Sequence, residues 1–350
     1  MAVSMEYFGE DRSGEALMLY TLSNEAGMSV GLTQVGASLV FIRLPDQNGK
    51  IRDVILGYDT AEEYLTQGGC LGSVLGRSAN RTAGAKLELE GKVYTLQANN
   101  FENNCHSGPD GFQRRVWKIG RISENSVQFL MEDGPLQQGY PGHFTASATY
   151  MLTEDGTLQI SYEAQCDADT ACNMTNHVYF NLGGQDSGDI LGTQLKLEAS
   201  SYTPIADEKA IPTGEIAPVA GTPMDFTKGK TIGQEIDADF AQLRFTGGYD
   251  HNFVLKKDKG SLEKFAEAYD PATGICLEAF TDLPGVQFYT ANSLPQGRKG
   301  KGGAVYGPRS GFCLETQYFP NAINQDGFAK PLLKAGEKFE SRTSYKFSVR

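Results

Sequence analysis

Near the end of the chain Phe339, Ser341, Thr343, Tyr345, Phe347 and Val349 alternate with Glu340, Arg342, Ser344, Lys346, Ser348 and Arg350. A period of two over this length fits a strand with one packed and one wet face. It does not fit a helix, whose faces recur about every 3.6 residues. Leu158, Ile160, Tyr162 and Ala164 alternate with polar neighbours in the same way. A Glu154-Asp155-Gly156-Thr157 turn precedes them, and its glycine can take the positive φ of a tight hairpin. Lys86–Glu90, Gly91-Lys92 and Val93–Leu96 read as a further hairpin. The 41 glycines punctuate many such short runs, which predicts an all-β architecture, a β-sandwich or barrel. Helical candidates are few: Thr60–Thr66, and Thr231–Leu243 on its Ile232/Ile236 spacing. Ser261–Tyr269 has helix-forming side chains, but the Asp270-Pro271-Ala272-Thr273-Gly274 turn after it favours a hairpin. No low-complexity linker, charge block or internal repeat divides the chain, so residues 1–350 are expected to form one large β domain.

Charge narrows the partners. A formal net charge of -12 disfavours a nucleic-acid surface, an anionic membrane and a strongly anionic substrate, and a neutral small molecule fits best. The N-terminal residues lack a basic segment followed by an apolar run, and no apolar run is long enough to cross a bilayer. The expectation is a soluble, cytoplasmic protein. The six cysteines (Cys70, Cys105, Cys166, Cys172, Cys276, Cys313) lack CxxC spacing and read as buried free thiols, not as a disulfide framework or zinc site.

Five polar islands interrupt the strand pattern. Gly76-Arg77-Ser78-Ala79-Asn80-Arg81 puts two cations and an amide between apolar strands. Asn99–His106 is an amide-rich loop ending in a histidine. Asn173–Leu182 (NMTNHVYFNL) sets His177 among three amides and two aromatics on a strand-like run. Gly247–Asn252 combines Asp250 with His251. Gly311–Phe319 holds Glu315 beside Phe312, Cys313 and Leu314, which implies burial, and a buried carboxylate needs hydrogen bonds or a function. Amides hold hydroxyls, aromatic faces cover apolar sugar or base surfaces, and an imidazole can move protons near neutrality. Taken alone, His177 reads equally well as a satisfied core histidine.

Taken in order, GRSANR, the NNCH segment, TNHVYFNL, YTPIADEKAIPTGE, GYDHNF, GVQFYTAN and SGFCLETQ resemble the galactose mutarotase (aldose 1-epimerase) family. The likeness runs from about Thr33 to Val349. It implies a large β-sandwich of the galactose mutarotase-like type with an open sugar cleft. It also implies interconversion of the α and β anomers of aldoses such as galactose and glucose, without metal or organic cofactor. By position, Glu315 corresponds to the proton acceptor and His177 to the proton donor. His106 corresponds to the second site histidine, and Asn80, Arg81, Asp250 and Gln287 to sugar-hydroxyl contacts. Tyr179, on the same strand face as His177, is a candidate for the pocket wall, whereas Val178 and Phe180 should face the other side.

An anomer is a hemiacetal, so changing its configuration means opening and reclosing the ring. That requires a base at the C1 hydroxyl and an acid at the ring oxygen, each worth about 10²–10⁴-fold. Asp250 is expected to favour the charged form of His177, and His106 to be a neutral hydrogen-bond donor. Arg77 and His251 read as supports of the fold or the site, and His143 as a loop residue without a part in proton transfer. Two departures from the family stand out. Val178 occupies a position where many members have Ser. His106 is followed by Ser107-Gly108-Pro109-Asp110-Gly111, where many have His-Gly-Gly, which leaves the preferred sugar open. Competing readings are a non-catalytic sugar-binding or sensing protein, and an epimerase for a sugar phosphate or another aldose. The residues are compatible with a monomer or a homodimer.

Overall fold

The alternating C-terminal run forms the strand Lys338–Val349 in the computed structural model, which describes residues 2–255 and 260–350. Ser341, Thr343, Tyr345 and Phe347 turn inward. Val349, expected on the packed face, is instead 41% exposed, because it is the last residue of the strand. Lys338–Val349 pairs antiparallel with Thr157–Cys166 on one side and Ile275–Thr281 on the other. It lies at the middle of a nine-stranded sheet that runs from Lys118–Ile122 at one edge to Lys230–Thr231 at the other.

A second sheet has the order Ala217–Pro218, Ser201–Tyr202, Asp250–Val254, Gly285–Tyr289, Cys313–Gln317, and a third takes in residues 2–53 as five consecutive antiparallel strands. The inner faces of all three meet in one apolar cluster. Phe129, Tyr150, Ile160, Leu277 and Tyr345 of the large sheet pack with Phe253, Phe288 and Leu314 of the second and Leu22, Val30 and Ile42 of the third. This is the expected all-β sandwich, with alternate residues of each strand committed to the interior. Among the described residues no helix is long and apolar enough to cross a membrane.

Local expectations fare unevenly. The hairpin Glu263–Tyr269 to Ile275–Thr281 forms as read. The hairpin Lys86–Leu89 to Lys92–Thr95 turns one residue early, at Glu90 and Gly91, both with positive φ. Thr60 caps the helix Ala61–Thr66 through a reciprocal contact with Glu63. Residues 231–243 are not one helix: a 3-10 turn covers Ile232–Gln234 and the α-helix begins only at Ala241. The backbone leaves the helical region between them, at Glu235 (φ -135°) and Phe240 (φ -128°), while the Ile232 and Gly233 N–H groups anchor the segment on the Thr193 and Leu191 carbonyls. Ile232 and Ile236 are buried all the same. The six cysteines are free thiols, four of them buried and Cys70 and Cys105 half-buried.

Val178 and Phe180 both point into the main cluster, as their parity with His177 requires. The Phe180 ring meets Phe312, Tyr345 and Phe347 at centroid distances of 5.7, 5.0 and 6.4 Å. Phe180→Ala should therefore cost about 3–5 kcal/mol, read as a lower denaturant midpoint at unchanged m-value. A loss below about 1 kcal/mol would contradict this packing.

Candidate active site

The second sheet separates chemistry from core by parity. Asp250, Asn252, Gln287, Tyr289, Cys313, Glu315 and Gln317 share one face, and His251, Phe253, Val286, Phe288, Leu314 and Thr316 the other. Asn252, Gln287 and Glu315 stand directly opposite one another across three strands. One row further, Gly285 lies opposite Gln317. A Cβ there would come within 2.6 Å of the Asn252 side-chain oxygen and 2.8 Å of the Phe319 ring, so glycine makes room for the amides.

His177 reaches this face from a segment that is only briefly a strand, Thr175–Asn176, paired with Val74–Leu75. Its backbone is pinned on both sides: the His177 N–H donates to Ser73 and its carbonyl accepts from Gly72. The neighbouring amides brace it. Asn173 clasps the Tyr318 backbone, Asn176 donates to the Gly72 carbonyl and the Tyr150 hydroxyl, and Asn181 donates to Ser310.

His177 Nε2 lies 3.6 Å from Glu315 Oε1. On its other side Nδ1 is 3.5 Å from the Cys313 sulfur. The Tyr179 ring stacks on the imidazole at 4.8 Å, with its hydroxyl donating to the Gly69 carbonyl, so Tyr179 backs His177. The His106 ring stands edge-on to His177 at 5.5 Å. The Asn80 N–H donates to His106 Nδ1, 3.1 Å, which leaves the proton of the neutral ring on Nε2.

Beside this pair five residues close a ring of hydrogen bonds. Asn80 Nδ2 donates to Gln317 Oε1 at 3.2 Å, Gln317 Nε2 to Gln287 Oε1 at 3.1 Å, and Gln287 Nε2 to Asp250 Oδ1 at 2.7 Å. Arg81 Nη2 donates to Asp250 Oδ2 at 3.3 Å, and the Arg81 N–H to Asn80 Oδ1 at 2.8 Å. The structure thus brings together all eight residues singled out from the sequence: Asn80, Arg81, His106, His177, Tyr179, Asp250, Gln287 and Glu315. Gln317 and Cys313 were not singled out, although the period of two puts both on the Glu315 face. Arg77 lies elsewhere: it is buried on Asp133 and donates to the Asp133, Gly134, Pro141 and Gly142 carbonyls. His143 is exposed. A cavity of about 730 Å³ also lies away from these groups, beside Glu163, Asp282 and Glu340, and its described lining residues include no histidine.

Burial governs the charges. It pushes His177 down to about 4, with Asp250 pulling only partly the other way. Asp250 does favour the charged form of His177, as expected, but burial outweighs it in the empty site. His106 lies well below its ordinary range, through burial first and then the neighbouring His177 and Arg81. Burial, reinforced by Asp250, raises Glu315 well above the usual carboxylate range, and its Oε2 has no hydrogen-bond partner among the described residues. His106, His177 and Glu315 offer donor atoms within 4.8 Å of one another, a composition that zinc sites use. The tautomer speaks against that use, because a nitrogen that carries its proton cannot bind a metal, and moving the proton to Nδ1 would set it against the Asn80 N–H.

The profile of the aldose 1-epimerase family matches residues 18–346, and the chain belongs to that family. It is 41% identical to the galactose mutarotase of Homo sapiens, with 99% of each chain covered. It is 36% identical to the aldose 1-epimerase of Escherichia coli, covering 95% of this chain and 96% of that one. Among solved structures, an aldose epimerase homologue from C. elegans superposes with a TM-score of 0.87 at 28% identity over 99% of both chains. A galactose 1-epimerase from Lactobacillus acidophilus gives 0.86 at 27% identity, over 100% of this chain and 99% of that one.

The buried imidazoles leave a pH signature. An unfolded histidine binds a proton near 6.5, whereas His177 and His251 in the fold bind theirs only near 4, so the fold loses stability as pH falls from 6.5 toward 4. Glu315 acts with the opposite sign, its raised value favouring the fold at low pH. With three lowered histidines against one raised acid, Tm should fall across this window. The fall should be shallower in His251→Asn, and an identical slope in the variant would contradict the assignment.

Proposed function

We propose that the chain is a mutarotase that interconverts the α and β anomers of free aldoses such as galactose and glucose, with His177 as proton donor and Glu315 as proton acceptor. The observation that carries this reading is the buried 3.6 Å pair of His177 Nε2 and Glu315 Oε1, set in a face of hydroxyl-binding amides. Glu315 takes the proton of the C1 hydroxyl while His177 gives one to the ring oxygen. The bond from C1 to the ring oxygen breaks, C1 becomes an aldehyde, and rotation about C1–C2 presents its other face. In the reverse step Glu315 returns its proton to the carbonyl oxygen and His177 takes its proton back from the former ring oxygen.

The pair needs one mobile proton, on His177 when the sugar is in place. Burial disfavours that charged arrangement in the empty site, and the sugar supplies what burial removed. Its hydroxyls can donate to Glu315, including the unpartnered Oε2, and so stabilise the carboxylate. His106, neutral with its proton on Nε2, donates to a sugar oxygen. Asn80, Arg81, Asp250 and Gln287 read the remaining hydroxyls, and Tyr179 holds the imidazole in plane. We place the protein in the cytoplasm, with residues 1–350 acting as one unit.

A purely sugar-binding protein would have no use for an acid–base pair of this kind. An epimerase for sugar phosphates fits poorly, because Arg81 is already paired with Asp250 and a phosphate here would meet Asp250 and Glu315. The test is polarimetric: relaxation of freshly dissolved α-D-galactose and α-D-glucose with and without protein. Acceleration is expected. Glu315→Gln and His177→Asn should each lower kcat by about 10²–10⁴-fold with the circular dichroism unchanged. A fully active Glu315→Gln would overturn the assignment of the base, and an inert wild-type protein the whole reading.

A further inference from the structure

We propose that Gln317 is a positioning residue that passes the acceptor-only polarity of Asp250 through Gln287 to Asn80, and so fixes which amide end each presents to the sugar. The inference rests on the mutarotase reading. Its basis is the closed ring of hydrogen bonds and the amide chemistry within it.

Asp250 as a carboxylate can only accept. Gln287 must therefore turn its NH₂ toward Asp250 Oδ1, 2.7 Å away, which points its oxygen at Gln317. Gln317 must answer with its NH₂, donating to Gln287 Oε1 and to Asn252 Oδ1, both at 3.1 Å. Its own oxygen then faces Asn80, whose NH₂ fills it at 3.2 Å. Asn80 is left with its oxygen toward the Arg81 N–H, and Arg81, a donor only, closes the ring on the second oxygen of Asp250. Each amide orientation follows from the one before it, starting at a single carboxylate.

Gln317 is fully buried, so no bulk water can rescue a lost bond, and among the described residues it alone joins Asn80 to Gln287. It lies two residues beyond Glu315 on the same strand face but has no hydrogen bond to either member of the proton-transfer pair. Its influence should appear in how the sugar is held more than in how protons move. Replacing it by glutamate keeps the shape and reverses the polarity. A carboxylate at 317 would face the Gln287 and Asn252 oxygens, and flipping Gln287 to satisfy it would set the Gln287 oxygen against Asp250.

The experiment compares wild type, Gln317→Glu and Gln317→Met in steady-state polarimetry with galactose, after circular dichroism. Acceleration by the wild type establishes the reading on which the inference rests, and an inert wild type would remove both. With an active wild type, KM should rise at least about 10-fold in Gln317→Glu and less in Gln317→Met, a near-isostere without polarity, while kcat stays within about 3-fold. Wild-type constants in the glutamate variant would overturn the inference alone. So would a fall in kcat at unchanged KM, which would make Gln317 part of the proton-transfer step. Should Gln317→Glu fail to fold, Gln317→Met decides: a raised KM supports the relay and an unchanged one overturns it.

Discussion

The site depends on a carboxyl group taken out of water beside an imidazole. An isolated ionised carboxylate would be very costly at the position of Glu315, and burial raises its proton affinity accordingly. His177, 3.6 Å away, is driven toward neutrality by the same burial. Burial thus leaves the empty pair neutral, with the proton favoured on Glu315 and the imidazole uncharged. A substrate rich in hydroxyls, and bearing no charge of its own, is the kind of ligand that can replace the missing solvation without disturbing that balance. The chain's negative net charge and the pairing of Arg81 with Asp250 point to the same class of ligand.

What makes such a polar face tolerable is the parity of the second sheet. One face of Asp250–Val254, Gly285–Tyr289 and Cys313–Gln317 is spent on the apolar core, which fixes the strands rigidly. The other carries carboxylates and amides whose hydrogen bonds are made almost wholly among themselves. Partly satisfied polar networks are costly and fully connected ones rigidify. Those buried side-chain atoms of this face that lack a partner, Glu315 Oε2 and Asn252 Nδ2, are where unused hydrogen-bonding capacity remains. For Glu315 that capacity is what the proposed chemistry requires.

Much of this was legible in the sequence, for a physical reason. Period two assigns faces without knowledge of the fold, so the placement of His177 and Tyr179 opposite Val178 and Phe180 followed from counting, even though little of that segment is regular strand. Burial of Glu315 followed from its apolar neighbours. The helix read across 231–243 does not form: the backbone is non-helical at Glu235 and extended at Phe240, in a segment tied to Thr193 and Leu191 by bonds that local spacing cannot reveal. The balance of charges at His177 is not legible for a similar reason. The sequence shows that a carboxylate is present but not how much water is missing, and burial outweighs Asp250. Gln317 was passed over because its importance lies in orientation propagated across three strands, which residue type alone does not encode.

Burial keeps the site imidazoles neutral in the empty enzyme, with His106 locked as an Nε2–H donor by the Asn80 N–H. Nitrogen-15 spectra of the histidine rings, recorded from about pH 6 to 8 without sugar, read this protonation state. An unprotonated, acceptor-type Nδ1 and a protonated Nε2 are expected for His106 throughout, with a neutral His177 ring. Protonation of both His106 nitrogens at pH 7, or a proton on its Nδ1, would contradict it.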